Sequence, residues 1–252
     1  MLAKRIIPCL DTIGEWVVKG RSFENLETIG LAVDFARRYE KEGADELVLL
    51  DITATLENRK TFLKLVGEVA KELFIPLTVG GGIKNIEDVR ELLRVGADKV
   101  SINTSAVKDP SLINKVAREF GSQCLVVAID AKRISNRKWE VYIKSGKEAT
   151  GIDFKDWIIE VEKRGAGEIL LTSIDADGHR RGYDLELLET AVSLVNVPII
   201  ASGGAGNLED LYHAFKAGVD AVLAASIFHY GEYTIKDVKD YLENKKILVR
   251  KG

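Results

Sequence analysis

Only two cysteines, Cys9 and Cys124, occur in 252 residues. Each falls inside a predicted strand, so no disulfide framework is expected and the cytosol is the expected compartment. Histidine is equally scarce: His179, His213 and His229 are the full set. They have no ligand spacing and no HExxH pattern occurs, so neither a metal site nor a cofactor is expected. No apolar run is long enough to span a membrane, and the opening MLAKRIIPCLD reads as a strand rather than a signal peptide. Neither sign of charge dominates, with 36 Lys and Arg against 39 Asp and Glu. Without a basic stripe, nucleic acid is not an expected partner.

What the chain does contain is itself, twice. GGGIKNIEDVRELLRVGADKV, from Gly80, returns as SGGAGNLEDLYHAFKAGVDAV, from Ser202, at an offset of 122 residues with no gap. IPLTV (75–79) faces VPIIA (197–201), and GADELVLLDIT (43–53) faces GAGEILLTSID (165–175), at the same offset. IIPCLD (6–11) resembles LVVAID (125–130) at an offset of 119. The period is too long for a solenoid. It predicts one domain, 1–252, built from two homologous halves, about 1–121 and 122–252.

Short β-branched apolar runs alternate with stretches of helical period, the pattern of a parallel sheet covered by helices. Strands are predicted near 5–11, 46–52, 76–80, 98–103, 124–130, 168–174, 198–202 and 221–225. Eight strands in two similar halves predict an α/β fold, a (β/α)8 TIM barrel. An open doubly wound sheet is the rival, which the repeat disfavours.

Side chains alternate along a strand. If the polar faces point into the barrel, Asp11 and Asp130 end strands one and five at the C-terminal mouth. Arg5, Glu46, Lys99 and Glu168 then form a charged ring at the N-terminal end. Two carboxylates in unlike surroundings can divide into general acid and general base. The competing reading is a helix cap, or an ion pair with Lys19 or Lys132. Lys19, in WVVKG, is placed to hold a loop over a ligand or else is a solvated loop lysine. Asp177 and Gly178, in SIDADGHRRGYD, reach the mouth or simply form an Asp-Gly turn. His179 beside them is read as solvent-facing, and Trp16, Trp139 and Trp157 as packing or loop residues.

Barrels commonly hold a phosphate with the loop after strand seven and the residues beyond strand eight. Ser202, Gly203, Gly204, Ala225 and Ser226 stand there. The repeat puts Gly81, Gly82, Asn103 and Thr104 in the matching place after strands three and four. Glycine lets backbone N–H groups approach an anion. Thr172, at the end of strand six, joins this candidate substrate-binding set. The expected ligand is a small molecule with a phosphate at each end. The alternative is that these glycines only make tight turns.

The stretches KRIIPCLD, VVKG, FENL, DELVLLDIT, VGGGI, GADKVSINT, FGSQ, VVAIDAKR, GAGEILLTSID, DADG, GYD, IIASGGAG and LAASIFH cover nearly the whole chain. Together they resemble the cyclase subunits of imidazole glycerol phosphate synthase, of histidine biosynthesis. The sister isomerase shares the half-barrel repeat, but KRIIPCLD and FGSQ…VVAIDAKR look like the cyclase. The resemblance implies an ammonia-dependent cyclase and lyase. Its substrate would be a bisphosphorylated formimino aminoimidazole carboxamide ribonucleotide with a ribulosyl arm. Asp11 and Asp130 would be the acid–base pair. It also implies a glutaminase partner docked on the N-terminal barrel face, with Arg5, Glu46, Lys99 and Glu168 as an ammonia gate and Asp98 as a partner contact. A static ionic plug is the other reading of those four charges. The chain departs from the family's usual pattern at Ile13–Trp16, at Gly30-Leu31-Ala32 and at His179. Two further readings are a paralogue acting on another phosphosugar, and a barrel that activates a glutaminase without chemistry of its own.

Overall fold

The computed structural model describes residues 2–21, 24–53 and 59–250. Phe23, in the FENL stretch, lies outside them. The chain opens with β1 (Arg5–Ile13), β2 (Trp16–Arg21), β3 (Glu24–Leu31) and α1 (Ala32–Lys41). It continues through β4 (Leu47–Asp51), α2 (Arg59–Glu72), β5 (Leu77–Gly80), α3 (Ile86–Val95), β6 (Lys99–Ile102), α4 (Thr104–Lys108) and α5 (Ser111–Phe120). Next come β7 (Leu125–Ser135), β8 (Lys138–Ile143), β9 (Glu148–Asp153), α6 (Phe154–Arg164), β10 (Glu168–Ser173) and α7 (Leu185–Leu194). The last elements are β11 (Ile199–Ser202), α8 (Leu208–Lys216), β12 (Ala221–Ala224), α9 (Ser226–His229) and α10 (Ile235–Asn244).

Hydrogen bonds join β1, β4, β5, β6, β7, β10, β11 and β12 in that order and close the ring, which is a (β/α)8 barrel. The middles of these strands are largely apolar, and in β12 all four residues are buried. A barrel strand must be apolar on both faces, one toward the lumen and one toward the helices. No helix among the described residues is long and apolar enough to cross a membrane.

Two hairpins are additions to the eight predicted strands. β2 and β3 extend β1 in antiparallel fashion, and β8 and β9 extend β7. This is why β1 and β7 run past residues 11 and 130. β8 carries the period-2 signal of such a strand: Trp139, Val141 and Ile143 are buried, while Glu140 and Tyr142 on the other face are partly open.

The repeat extends to individual hydrogen bonds. Asn85 Oδ1 accepts from the Asp88 N–H at 2.9 Å, and Asn207 Oδ1 from the Asp210 N–H at 3.1 Å, each capping its helix. Asp98 Oδ2 accepts from the Leu77 N–H at 2.8 Å, and Asp220 Oδ2 from the Ile199 N–H at 3.2 Å. These carboxylates satisfy strand-start donors that would otherwise be stranded. Asp98, the expected partner contact, therefore has a structural task in its own right.

The chain divides into two compact units, Met1–Ser101 with Ala224–Gly252, and Ile102–Leu223. In the first, Asp45 is a junction. Its Oδ2 accepts from the Ile6 N–H at 2.8 Å, and its Oδ1 lies 2.7 Å from Lys239 Nζ. Both residues are buried, and Lys239 also donates to the Gly43 carbonyl at 2.7 Å. Removing one partner of a buried ion pair leaves the other charge uncompensated. Asp45→Ala is expected to lower the unfolding free energy by about 3 kcal/mol, read by urea titration. A loss below about 1 kcal/mol would mean that solvent replaces the pair at little cost.

Candidate active site

In the first unit, Asp11 is register-paired with Leu50 near the end of the parallel ladder. Beyond it β1 turns back into β2, pairing Ile13 with Trp16 and Thr12 with Val17. That reversal brings Lys19 Nζ to 3.1 Å from Asp11 Oδ2, with both side chains largely shielded. Cys9 Sγ lies 3.9 Å from the other carboxylate oxygen. Asp11 and Lys19 thus form an ion pair, the reading set against a purely catalytic one in the sequence. The pair holds the carboxylate in one orientation, which an acid–base group requires.

Gly81 explains itself sterically. Its φ is +104°, and a Cβ there would meet the Asp51 carbonyl oxygen at 2.2 Å. At the equivalent place in the second unit, Gly203 has φ +86°, and a Cβ would stand 2.9 Å from the Ser173 carbonyl oxygen. Asp51 and Ser173 are themselves 122 residues apart, so the packing that demands glycine is repeated with the sequence. A Cβ at Gly204 would stand 2.1 Å from the Gly182 carbonyl oxygen, and the Gly182 N–H donates to the Gly204 oxygen at 2.9 Å. Gly82 also has a positive φ, +64°. The tight turns are real, and they also leave the backbone bare of side chains.

Asp130 lies in the second unit on β7. Thr172 and Tyr142 are its register partners on the two flanking strands, and Thr172 is in turn paired with Ser202. Asn103 Nδ2 donates to Asp130 Oδ2 at 3.0 Å, while Asn103 Oδ1 is buried with no partner. Burial pushes the Asp130 carboxyl up to about 6. The Asn103 amide opposes that rise and the negative charge of Asp177 adds to it. Asp177 and Gly178 sit in a turn closed by the Asp177 N–H on the Ser173 carbonyl, 3.0 Å, with Gly178 at φ +76°. Thr104 Oγ1 accepts from the Lys144 N–H at 3.0 Å. The residue before each short helix, Asn103 (φ −127°, ψ −86°) and Ala225 (φ −126°, ψ −72°), has the same backbone conformation. Thr104 and Ser226 are the first residues of those helices.

Of the four ring charges, the first unit brings three together. Glu46 Oε2 is 3.0 Å from Arg5 Nη1 and 2.9 Å from Lys99 Nζ, and Glu46 is only 1% exposed. Thr78, which sequence patterning missed, donates to Glu46 Oε1 at 2.6 Å. Its position in the strand alternation was the available signal. Glu168 starts β10 in the second unit, paired with Val126. Trp139 and Trp157 are buried, Trp16 is about half exposed, and His179 is exposed. The described residues contain no group of three His, Cys, Asp or Glu able to hold a metal ion.

The arrangement supplies two carboxylates in opposite electrostatic settings, one beside an ammonium and one desolvated. Polar groups at the C-terminal ends of (β/α)8 strands mark an enzyme of the barrel class. Residues 5–234 match the family described as "Histidine biosynthesis protein", and the chain belongs to it. A Dictyoglomus turgidum protein named "Imidazole glycerol phosphate synthase subunit HisF" is 74% identical over 250 residues, covering 99% of each chain. Proteins of the same name from Dictyoglomus thermophilum and Dehalococcoides mccartyi are 72% and 59% identical, again over 99% of each chain.

Proposed function

We propose that the chain is the ammonia-dependent cyclase and lyase of imidazole glycerol phosphate synthase. The observation that carries this reading is the pair of unlike carboxylates, Asp11 held by Lys19 and Asp130 raised to about 6. The names of the relatives support it. In this reading ammonia adds to the ribulosyl ketone carbon, and the ketone oxygen leaves as water. The bound nitrogen then attacks the formimino carbon. The imidazole ring closes as the old carbon–nitrogen bond breaks, giving imidazole glycerol phosphate and aminoimidazole carboxamide ribonucleotide. Asp130, whose carboxyl is raised by burial to about 6, donates to the departing oxygen, and Asp11, held by Lys19, takes protons from the attacking nitrogen.

The bare turns at Gly81-Gly82 and Gly203-Gly204, with Asn103, Thr104, Ala225 and Ser226, bind the two phosphates. Thr172, Ser202, Asp177 and Gly178 contact the substrate. The two homologous halves, about 1–121 and 122–252, are half-barrels of one domain. A glutaminase subunit docks on the N-terminal face and delivers ammonia past Arg5, Glu46, Lys99 and Glu168, with Asp98 nearby. The exposure of Leu2 (88%) and Phe74 (93%), each just before a barrel strand, supports a docking surface there.

The test is steady-state turnover of the ribulosyl formimino substrate by the purified chain with an ammonium salt at alkaline pH and no partner. Release of both products is expected. No turnover, with the bisphosphate still bound, would leave a paralogue or a barrel that serves only to activate a glutaminase.

A further inference from the structure

The β7–β8 hairpin has two unlike faces. On one, Trp139, Val141 and Ile143 are buried. The other carries Asp130 and Lys132 on β7, register-paired with Tyr142 and Glu140 on β8. Direct antiparallel partners hold their Cβ atoms about 5 Å apart on the same side of the sheet. Tyr142 is therefore the aromatic residue nearest to Asp130 along the ladder, and it is only partly buried. Lys132 Nζ stands 5.4 Å from the centre of its ring. Glu140, the remaining member of the face, is tied to the Gly151 N–H at 2.6 Å. Within this row, Tyr142 alone offers a flat, apolar surface beside the acid.

That surface suits a particular ligand group. An aromatic side chain takes up a planar heterocycle by stacking, with little rotamer entropy to lose. The Lys132 ammonium over the ring favours an electron-rich ring or an amide oxygen over a cation in this row. We propose that Tyr142 is a substrate-binding residue: its ring is the platform on which a planar heteroaromatic group of the substrate rests beside Asp130. This rests on the reading of Asp130 as a reacting group and extends the site to a residue outside the eight predicted strands.

The experiment compares Tyr142→Leu and Tyr142→Phe in ammonia-dependent turnover. Leucine keeps the bulk and removes the ring; phenylalanine keeps the ring. Tyr142→Leu is expected to raise KM about tenfold while kcat stays within about threefold, and Tyr142→Phe to match the parent. A merely structural cover over Asp130 would instead change kcat and its pH profile and leave KM alone. Unchanged KM in the leucine variant overturns the proposal, as does a phenylalanine variant as impaired as the leucine one. If Tyr142→Leu does not fold, the parent chain labelled with 3-fluorotyrosine is titrated with each product, the Tyr142 signal being assigned by its loss in Tyr142→Phe. Movement of that ¹⁹F resonance at saturation with either product supports the platform; no movement with both overturns it. Product binding can be read even if the chain does not turn over, so this test and that of the cyclase reading fail separately.

Discussion

Asp130→Asn is expected to be almost inactive as a cyclase yet more stable than its parent at pH 8. The activity loss follows from removing the only atoms at that position able to give and take a proton. Positioned acid–base groups contribute on the order of a hundredfold or more. The stability gain follows from the same burial that tunes the group. In the folded chain the Asp130 carboxyl is raised from 3.8 to about 6. A raised folded value means that the folded state binds the proton more tightly than the unfolded chain does. The folded state is then favoured most below about pH 4 and loses that advantage as pH rises through about 6. The cost of keeping the buried carboxylate charged at pH 8 amounts to at most roughly 3 kcal/mol. Asparagine carries no such cost, so its advantage is large at pH 8 and vanishes near pH 4. Urea titrations of both proteins at the two pH values measure this difference. Equal stability at pH 8 would mean that water reaches the carboxylate freely, and wild-type turnover would remove Asp130 from the chemistry. Asp11→Asn is expected to lose activity to a similar degree while substrate still binds.

Glu46→Ala is expected to be among the most destabilising single changes in the first unit. Glu46 accepts from Arg5, Lys99 and Thr78 and is essentially sealed from solvent. Its removal takes a counter-charge from two cations in a low-dielectric setting, at a cost of about 3–5 kcal/mol. For a chain of this size that corresponds to a Tm lower by roughly 10 °C. Calorimetry of the purified variant tests this. A shift of a degree or two would mean that Arg5 and Lys99 find compensation elsewhere. If the cluster also gates ammonia, glutamine-supported turnover with the partner should fall further than turnover supported by added ammonium. An equal fall in both would favour the static plug.

Much of this architecture is legible in the amino-acid string because a barrel strand must be apolar on both faces and carry its polar groups at fixed alternate positions. Asp11, Glu46 and Lys99 could be assigned faces from that rule alone. The helix starts at Asn85 and Asn207 could be paired by the repeat, and their caps are indeed equivalent. The hairpins were less visible. β2 and β3 mix glycine and charge with short apolar runs, β8 carries its alternation over only six residues, and β9, equally short, has no buried residue and no alternation. Their existence depends on β1 and β7 offering an edge to pair with. Thr78 was missed because a threonine inside an apolar strand carries no signal of its partner, and Glu46 is 32 residues away.

The sequence by itself determined the barrel, its twofold repeat, the glycines at the strand ends and the two aspartates. Each follows from a local rule of periodicity, sterics or spacing. Only the tertiary structure decided what kind of carboxylate each aspartate is. Asp11 meets its lysine because β2 folds back on β1. Asp130 is raised because folding buries it and brings up the negative charge of Asp177 from a distant part of the chain, against the opposing hydrogen bond from Asn103. Proton affinity depends on solvent exclusion and on charges a few ångströms away, and neither quantity exists until the chain has packed.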